Sequence, residues 1–385
     1  MLLVLNAGSS SLKFALYPQQ VAATPLADGL LEWRDGQLSG VLRQDGEADC
    51  HWQDEAGAQP HARMLSWLLH TLTARQLPVQ AAVHRVVHGG SHFTQALRLD
   101  ARILAELEAL TPLAPLHQPH NLAAVAQLAQ LQPDLPQFAC FDTAFHRSQL
   151  ELAQWFALPR SWFEQGVRRY GFHGLSYAWV AHRLPELHPQ AGDAKVVALH
   201  LGNGASACAM QGMRSVASSM GFTALDGLMM GSRCGQIDPG VLLYAQQHLG
   251  MDVGAVEKLL YRQSGLLGVS GLSSDMRTLL VSDAPAARFA VELFCYRAAC
   301  EVGALATALG GLDVLVFTGG IGEHAAPVRA MICERLAWLG LALDDRANRD
   351  HATRLHATAS RISVYRIEAD EARQMVREVQ PLLNS

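Results

Sequence analysis

A chain of 385 residues, half of them hydrophobic and only 17% of them charged, carries enough apolar material for two buried cores rather than one. A formal net charge of −5 without a dense Lys/Arg tract argues against DNA, RNA or another polyanion as partner, while a few local arginines can still reverse the field inside one cleft for a small anion. No stretch reaches the ~20 apolar residues of a membrane span, and the seven cysteines (Cys50, Cys140, Cys208, Cys234, Cys295, Cys300 and Cys333) fall without CxxC spacing, the pattern of reduced cytosolic thiols rather than of a disulfide scaffold or zinc site.

In chain order, an apolar run from Met1 to Leu5 opens the sequence with no basic leader, so a cytoplasmic location is expected. Strand-like segments at 2–6, 12–17, 29–33 and 39–43 are separated by Gly, Ser and Asp, which predicts a sheet built from hairpins. A helix follows at 62–76, with Met64, Leu65, Leu68, Leu69 and Leu72 on one face. Then come a β-rich run at 80–87, helices near 100–110 and 119–131, and a strand ending at Phe141-Asp142. Strands first and alternating elements afterwards describe an α/β domain with a mixed sheet.

A second cycle begins with a strand at 196–201, a turn at Gly202-Asn203-Gly204 and a return strand at 205–211. Asp238-Pro239 supplies a cap and a first-turn proline for a helix that Gly250 closes. The segment 285–309 is apolar nearly all round, as expected of a helix in a domain or subunit interface. A strand at 313–317 runs into Thr318-Gly319-Gly320-Ile321-Gly322, and a last strand and helix occupy 362–382. Both cycles contain a strand, a small polar turn and a return strand, a weak sign of duplication.

Three turns suit phosphate. In Asn6 to Lys13, glycine and serines let backbone N–H groups and hydroxyls approach an anion, and the lysine adds a point charge. Only three of the thirty basic residues are lysines (Lys13, Lys195 and Lys258), so one kept beside this turn is suggestive, although an ordinary serine-rich hairpin would look the same. The turns at 202–204 and 319–322 each follow an apolar strand, and neither matches the Walker or dinucleotide pattern. Together the three fit a nucleotide held by two domains better than three unrelated loops.

Arg85 and Arg233 lie in apolar, glycine-flanked surroundings, where a guanidinium needs either an internal acid or a bound anion. Asp142 and His146 mark a strand's carboxyl end, the usual edge of an α/β cleft, and His173 sits between Gly171 and Gly174. The pairs His84/His88 and His117/His120 lack an HExxH motif or adjoining carboxylate and read as core or cleft histidines.

At these residues the sequence resembles the acetate kinases, members of the acetate and sugar kinase, heat-shock chaperone and actin superfamily. The resemblance rests on residues 5–14, 84–90, 141–146, 170–177, 200–206, 219–239 and 317–323, in family order over nearly the whole chain. It implies an α/β fold of duplicated ribonuclease H-like, actin-like ATPase domains with mixed sheets flanked by helices. The first domain would comprise 1–144 plus 372–385, and the second, 145–371, would carry the nucleotide site and a homodimer interface. Position by position, Arg85, Asp142, His173 and Arg233 match catalytic residues, and Asn6 and Glu371 match metal-binding ones, for Mg²⁺ or Mn²⁺. Ser11, Lys13, His200, Gly202, Asn203, Gly204, Asp275, Arg277, Gly320, Ile321 and Gly322 match nucleotide-binding positions. Val87, Leu116, Phe172 and Ala224 match the acid's alkyl pocket. Ala224 stands where proline is frequent, His324 where asparagine is common, and the segment before Glu371 departs from the usual pattern.

The implied reaction is reversible transfer of a phosphoryl group between ATP and acetate. A carboxylate, with a reference pKa near ~4, is already ionised at neutral pH and needs no general base. The obstacle is charge, because an anion must approach a polyanion. Arg85 and Arg233 are expected to clamp the carboxylate and the moving phosphoryl group, with His173 donating to its oxygens. One methylene in an apolar pocket is worth only about 1–3 kcal/mol, so acetate is the expected acceptor and propionate the alternative. A sugar or glycerol kinase of the same superfamily would need a carboxylate base, a role open to Asp142. An actin- or chaperone-like ATP-binding protein would have no use for two arginines beside a small apolar pocket.

Overall fold

The apolar run that opens the chain becomes the middle of a sheet. The computed structural model describes residues 1–19, 24–55, 57, 60–115 and 117–383, and it divides into two units, Met1–Phe145 with Asp370–Ser385, and His146–Ala369. The second crossing falls before Asp370, so Glu371 belongs to the first unit and not, as expected, to the second. The reason is local: its helix, Glu371–Val379, packs on strands of the first sheet.

In the first unit, β1 (Leu2–Ala7), β2 (Ser11–Tyr17), β3 (Ala27–Arg34), β4 (Gln37–Gln44) and β5 (Cys50–Glu55) form successive antiparallel hairpins. The far side of β1 pairs in parallel with β6 (Ala81–Val86), which pairs in parallel with β8 (Gln137–Phe141); β7 (Leu97–Arg98) is a short antiparallel edge. The resulting order is β5-β4-β3-β2-β1-β6-β8-β7. Because side chains alternate across a strand, Leu3, Leu5 and Ala7 join Phe14, Leu65, Leu68 and Leu128 in one core, while Cys140, facing the other way on β8, meets Met375 of the last helix. A strand covered on both faces explains the unbroken apolar sequence of β1.

The second unit repeats the central plan. β9 (Val196–Leu201), β10 (Ala205–Gln211) and β11 (Arg214–Ser218) are antiparallel, and β9 continues in parallel to β12 (Val314–Thr318) and β13 (Ser363–Arg366). The order β11-β10-β9-β12-β13 has the sense and connectivity of β3-β2-β1-β6-β8, so the duplication that two similar turns only hinted at is present in the topology. The expected all-apolar helix is Pro285–Leu309; it buries Phe294, Ala298 and Val302 against the sheet but leaves Phe289 and Tyr296 exposed. Asp238 caps Pro239–Gln247 through Gly240 N–H, as its sequence predicts. Among the described residues no helix is long and apolar enough to cross a membrane.

Candidate active site

Parallel neighbours bring their carboxyl ends to one rim, and that rim gathers the polar residues of the first unit. Asn6 ends β1, Arg85 lies near the end of β6, Asp142 follows β8, and Glu371 opens the last helix. Arg85 forms a two-pronged ion pair with Asp142, Nε to Oδ1 at 2.9 Å and Nη2 to Oδ2 at 2.5 Å, while Nη1 donates to Asn6 Oδ1 at 3.3 Å. Glu371 Oε2 is 3.8 Å from Arg85 Nε, a looser contact. Burial alone would push the guanidinium down, but Asp142 and Glu371 outweigh it and hold Arg85 charged above its ordinary range. Of the two partners that sequence left open for this arginine, the internal acid is therefore the one present.

The same rim answers the question of a divalent ion. Asn6, Asp142 and Glu371 offer an amide oxygen and two carboxylates, a donor set that fits Mg²⁺, which typically takes one or two carboxylates and keeps several waters. Among the described residues there is no group of three His, Cys, Asp or Glu able to hold a metal by itself. Ser11 begins β2, where its carbonyl accepts from Gly8 N–H at 2.8 Å, and Lys13 is exposed across the hairpin from Asn6.

In the second unit His173 carries the most distinctive geometry. It precedes the helix Gly174–Leu187 with φ 56°, a left-handed backbone costly for a residue with a Cβ. Its Nδ1 lies 2.8 Å from Ser206 Oγ, which is also 2.5 Å from Tyr177 OH. Burial pushes the Tyr177 phenol well above its ordinary pKa, so it stays protonated. The assignment satisfying all three groups runs from Tyr177 O–H to Ser206 Oγ and from Ser206 O–H to His173 Nδ1, leaving the proton of His173 on Nε2. The His200 ring stacks on His173 at 4.3 Å between centroids and is held through Nδ1 by Ser176 Oγ at 2.8 Å.

Arg233 is drawn to the same place. A methyl group built on Gly204 would lie 3.4 Å from His173 Nε2 and 3.9 Å from Arg233 Nη2, so this turn has the two side chains on its flanks. Arg233 Nη1 donates to the Ala224 carbonyl at 2.8 Å, fixing one side of the guanidinium. Gly231 N–H reaches Asn203 O at 3.0 Å, and any Cβ at Gly231 would strike Asn203 Oδ1 at 1.9 Å. Glycine is therefore required there for the turn to close.

A cavity of about 510 Å³ opens beside this turn, lined by Gly202, Asn203, Asp275, Arg277, Gly320 and Ile321, with His324 also on its wall. Its size suits a nucleotide. Gly320 faces open space, whereas Gly322 turns its carbonyl to the buried Arg329. The expected tight turn at 319–322 instead opens a short helix, Gly319–His324. Asp275 caps the helix Met276–Leu280 and is held below its usual pKa by hydrogen bonds from Arg277.

Val87 is buried in the first unit with its N–H on Asn121 Oδ1 at 3.0 Å, Phe172 is buried in the second, and Leu116 lies outside the described residues. His146 is a core residue, bonded to Ser215 Oγ and the Phe172 carbonyl at 2.9 Å each. His84 bonds Gln137 at 2.7 Å in the first core. Sequence reasoning did not single out Ser206, Tyr177, Ser176 or Arg329. The spacing of His173 and Tyr177, one helical turn apart, was the available signal.

A family model described as the acetokinase family matches residues 1–377. The chain belongs to the acetokinase family. It is a kinase that phosphorylates acetate with ATP. Among curated relatives, the acetate kinase of Rhodopseudomonas palustris (strain ATCC BAA-98 / CGA009) is 53% identical, over 98% of this chain and 97% of the relative. Among solved structures, a propionate kinase from Francisella tularensis is 35% identical with a TM-score of 0.93, covering 98% of each chain. Porphyromonas gingivalis acetate kinase is 33% identical with a TM-score of 0.89, covering 99% of each. These likenesses bear out the expected fold class of two actin-like, ribonuclease H-like halves.

Proposed function

We propose that Arg233 and His173 Nε2 stabilise the phosphoryl group in transit while Arg85 receives the acetate carboxylate. The acetate oxygen forms the new bond to the γ-phosphorus as the bond to the ADP oxygen breaks, and no proton has to be removed. Asp142 then serves as an orienting partner, its two oxygens fixing the fork of Arg85 so that Nη1 keeps a free edge. The observation that carries this reading is the strained, serine-anchored His173 sharing the Gly204 turn with Arg233.

Asn6 and Glu371, with Asp142 beside them, would hold Mg²⁺ or Mn²⁺, which when bound neutralises phosphate charge. The 510 Å³ cavity takes ATP or ADP, with the phosphates toward Gly202, Asn203 and Gly204. Acetate is the preferred acid, and the likeness to a propionate kinase keeps the longer acid as the alternative. Exposed Val241, Leu243, Tyr244, Leu249, Phe289 and Tyr296 of the second unit supply apolar surface for a homodimer, and free thiols at all seven cysteines suit the cytoplasm.

The test is an ADP-release assay with a panel of short carboxylic acids, in which hydroxylamine traps the acyl phosphate. Acetate should give trapped product, and Arg233→Ala and His173→Ala should each lower kcat by on the order of 10²–10³. Near wild-type turnover by both folded variants would refute the assignment.

A further inference from the structure

The second unit holds a pair of arginines that the transfer chemistry leaves unused. Arg147 follows the buried His146, and Arg168 precedes the Tyr170–His173 turn. Among the described residues, Nε of Arg147 and Nε of Arg168 are both shut away from solvent without a hydrogen-bond partner, and neither side chain has an ion pair. Arg168 lies over the Phe163 ring at 4.1 Å, and its Nη2 reaches the Phe163 carbonyl only at 3.4 Å. Arg147 is held below its ordinary pKa by burial and then by the charge of Arg168. The neighbouring phenol of Tyr170 donates to Gly166 O at 2.7 Å, and burial keeps it neutral. Adjacent Arg169 shows the contrast: it takes Asp226 at 2.9 Å and the Ser218 and Ser219 carbonyls.

Two like charges drawn partly out of water are unfavourable unless an anion joins them. A tetrahedral dianion can neutralise both guanidinium groups and accept from both forks, whereas a monocarboxylate brings one charge for the two. We infer that Arg147 and Arg168 form a binding site for a small oxyanion of the phosphate class, separate from the nucleotide cavity. The site has leverage on catalysis because its two arginines flank the contact between His146 and the turn bearing His173. A Cβ on Gly171 would fall 2.6 Å from the His146 ring, and His146 Nε2 is bonded to the Phe172 carbonyl. An anion bridging both arginines fastens that contact and steadies the strained His173 backbone.

The experiment titrates inorganic phosphate into the full-length protein saturated with ADP, following the thermal midpoint and the ³¹P line width at constant ionic strength. A saturable rise in the midpoint is expected. Arg147→Gln should weaken phosphate binding roughly ten- to a hundredfold, the worth of one charge-assisted contact, with kcat in phosphate-free buffer unchanged. Arg147→Lys should recover part of the affinity, which separates charge from packing. The inference fails if the wild-type shows no saturable change, or if Arg147→Gln binds phosphate as the wild-type does. It fails equally if Arg147→Gln alters only the association state, because an acid of a second copy would then be the partner.

Discussion

His173 Nδ1 and Ser206 Oγ are 2.8 Å apart, and the bond decides which nitrogen of the imidazole carries its proton. Ser206→Ala removes the donor and lets the ring change tautomer or rotate. A neutral hydrogen bond is worth about 0.5–1.5 kcal/mol, so kcat should fall roughly two- to thirteenfold. KM for acetate should hold, since the serine touches no substrate in the proposed arrangement. Steady-state kinetics check this, and a change confined to KM contradicts it.

Arg85 and Asp142 should behave as one unit. If the carboxylate works by orienting the guanidinium, then Arg85→Ala and Asp142→Ala each lose on the order of 10²–10³ in kcat, and the double variant loses hardly more than either. A double-mutant cycle measures the coupling. Losses that multiply would give Asp142 a separate task such as proton removal.

Arg329 is fully buried with no acid paired to it among the described residues, its Nε on Asn348 Oδ1 at 2.7 Å and its Nη1 on the Gly322 and Glu323 carbonyls at 2.9 and 2.8 Å. Burial and nearby Arg366 bring its pKa down to about 10, so it remains a cation at neutral pH. Arg329→Met strands several buried carbonyls and should destabilise by on the order of 3–5 kcal/mol. Thermal unfolding reads the loss, and KM for ATP should rise because Gly322 and Glu323, whose carbonyls Arg329 holds, belong to the short helix whose Gly320, Ile321 and His324 line the cavity.

Acidification should weaken the first unit before the carboxylates titrate. Burial lowers the pKa of both His84 and His88 to about 4, against an unfolded value near ~6.5. The unfolded chain therefore binds more protons between those values, and the stability present above pH ~6.5 is lost as pH falls toward ~4. Denaturant midpoints across that range should decline, and His84→Gln should flatten the decline. A flat wild-type profile would show both imidazoles titrating normally.

Acetate should exceed propionate in kcat/KM, though by a modest factor, because one methylene amounts to about 1–3 kcal/mol. Competition between the two acids measures the ratio directly, and a higher value for propionate reverses the assignment.

Much of the fold was legible because strands covered on both faces need continuous apolar runs, as in β1 and β9. The edges were not: β5 alternates exposed polar residues, and β7 has only two residues, so neither carries an apolar signal. The site's residues were legible singly, through glycine flanks and charge in apolar surroundings. Their pairing was not, because Arg85 and Asp142 are 57 residues apart and only the parallel register of β6 and β8 brings them to one rim. Ser206 escaped notice for a similar reason, since a serine in a return strand shows nothing of the imidazole opposite it.

The repeated strand order has an evolutionary corollary. Copying one ancestral half yields two equivalent platforms, free to diverge: the earlier copy acquired acids and a guanidinium, the later one a histidine and glycine-lined hollow. A lineage could thus alter the acids of one platform while the glycine-lined hollow of its sibling stayed as it was.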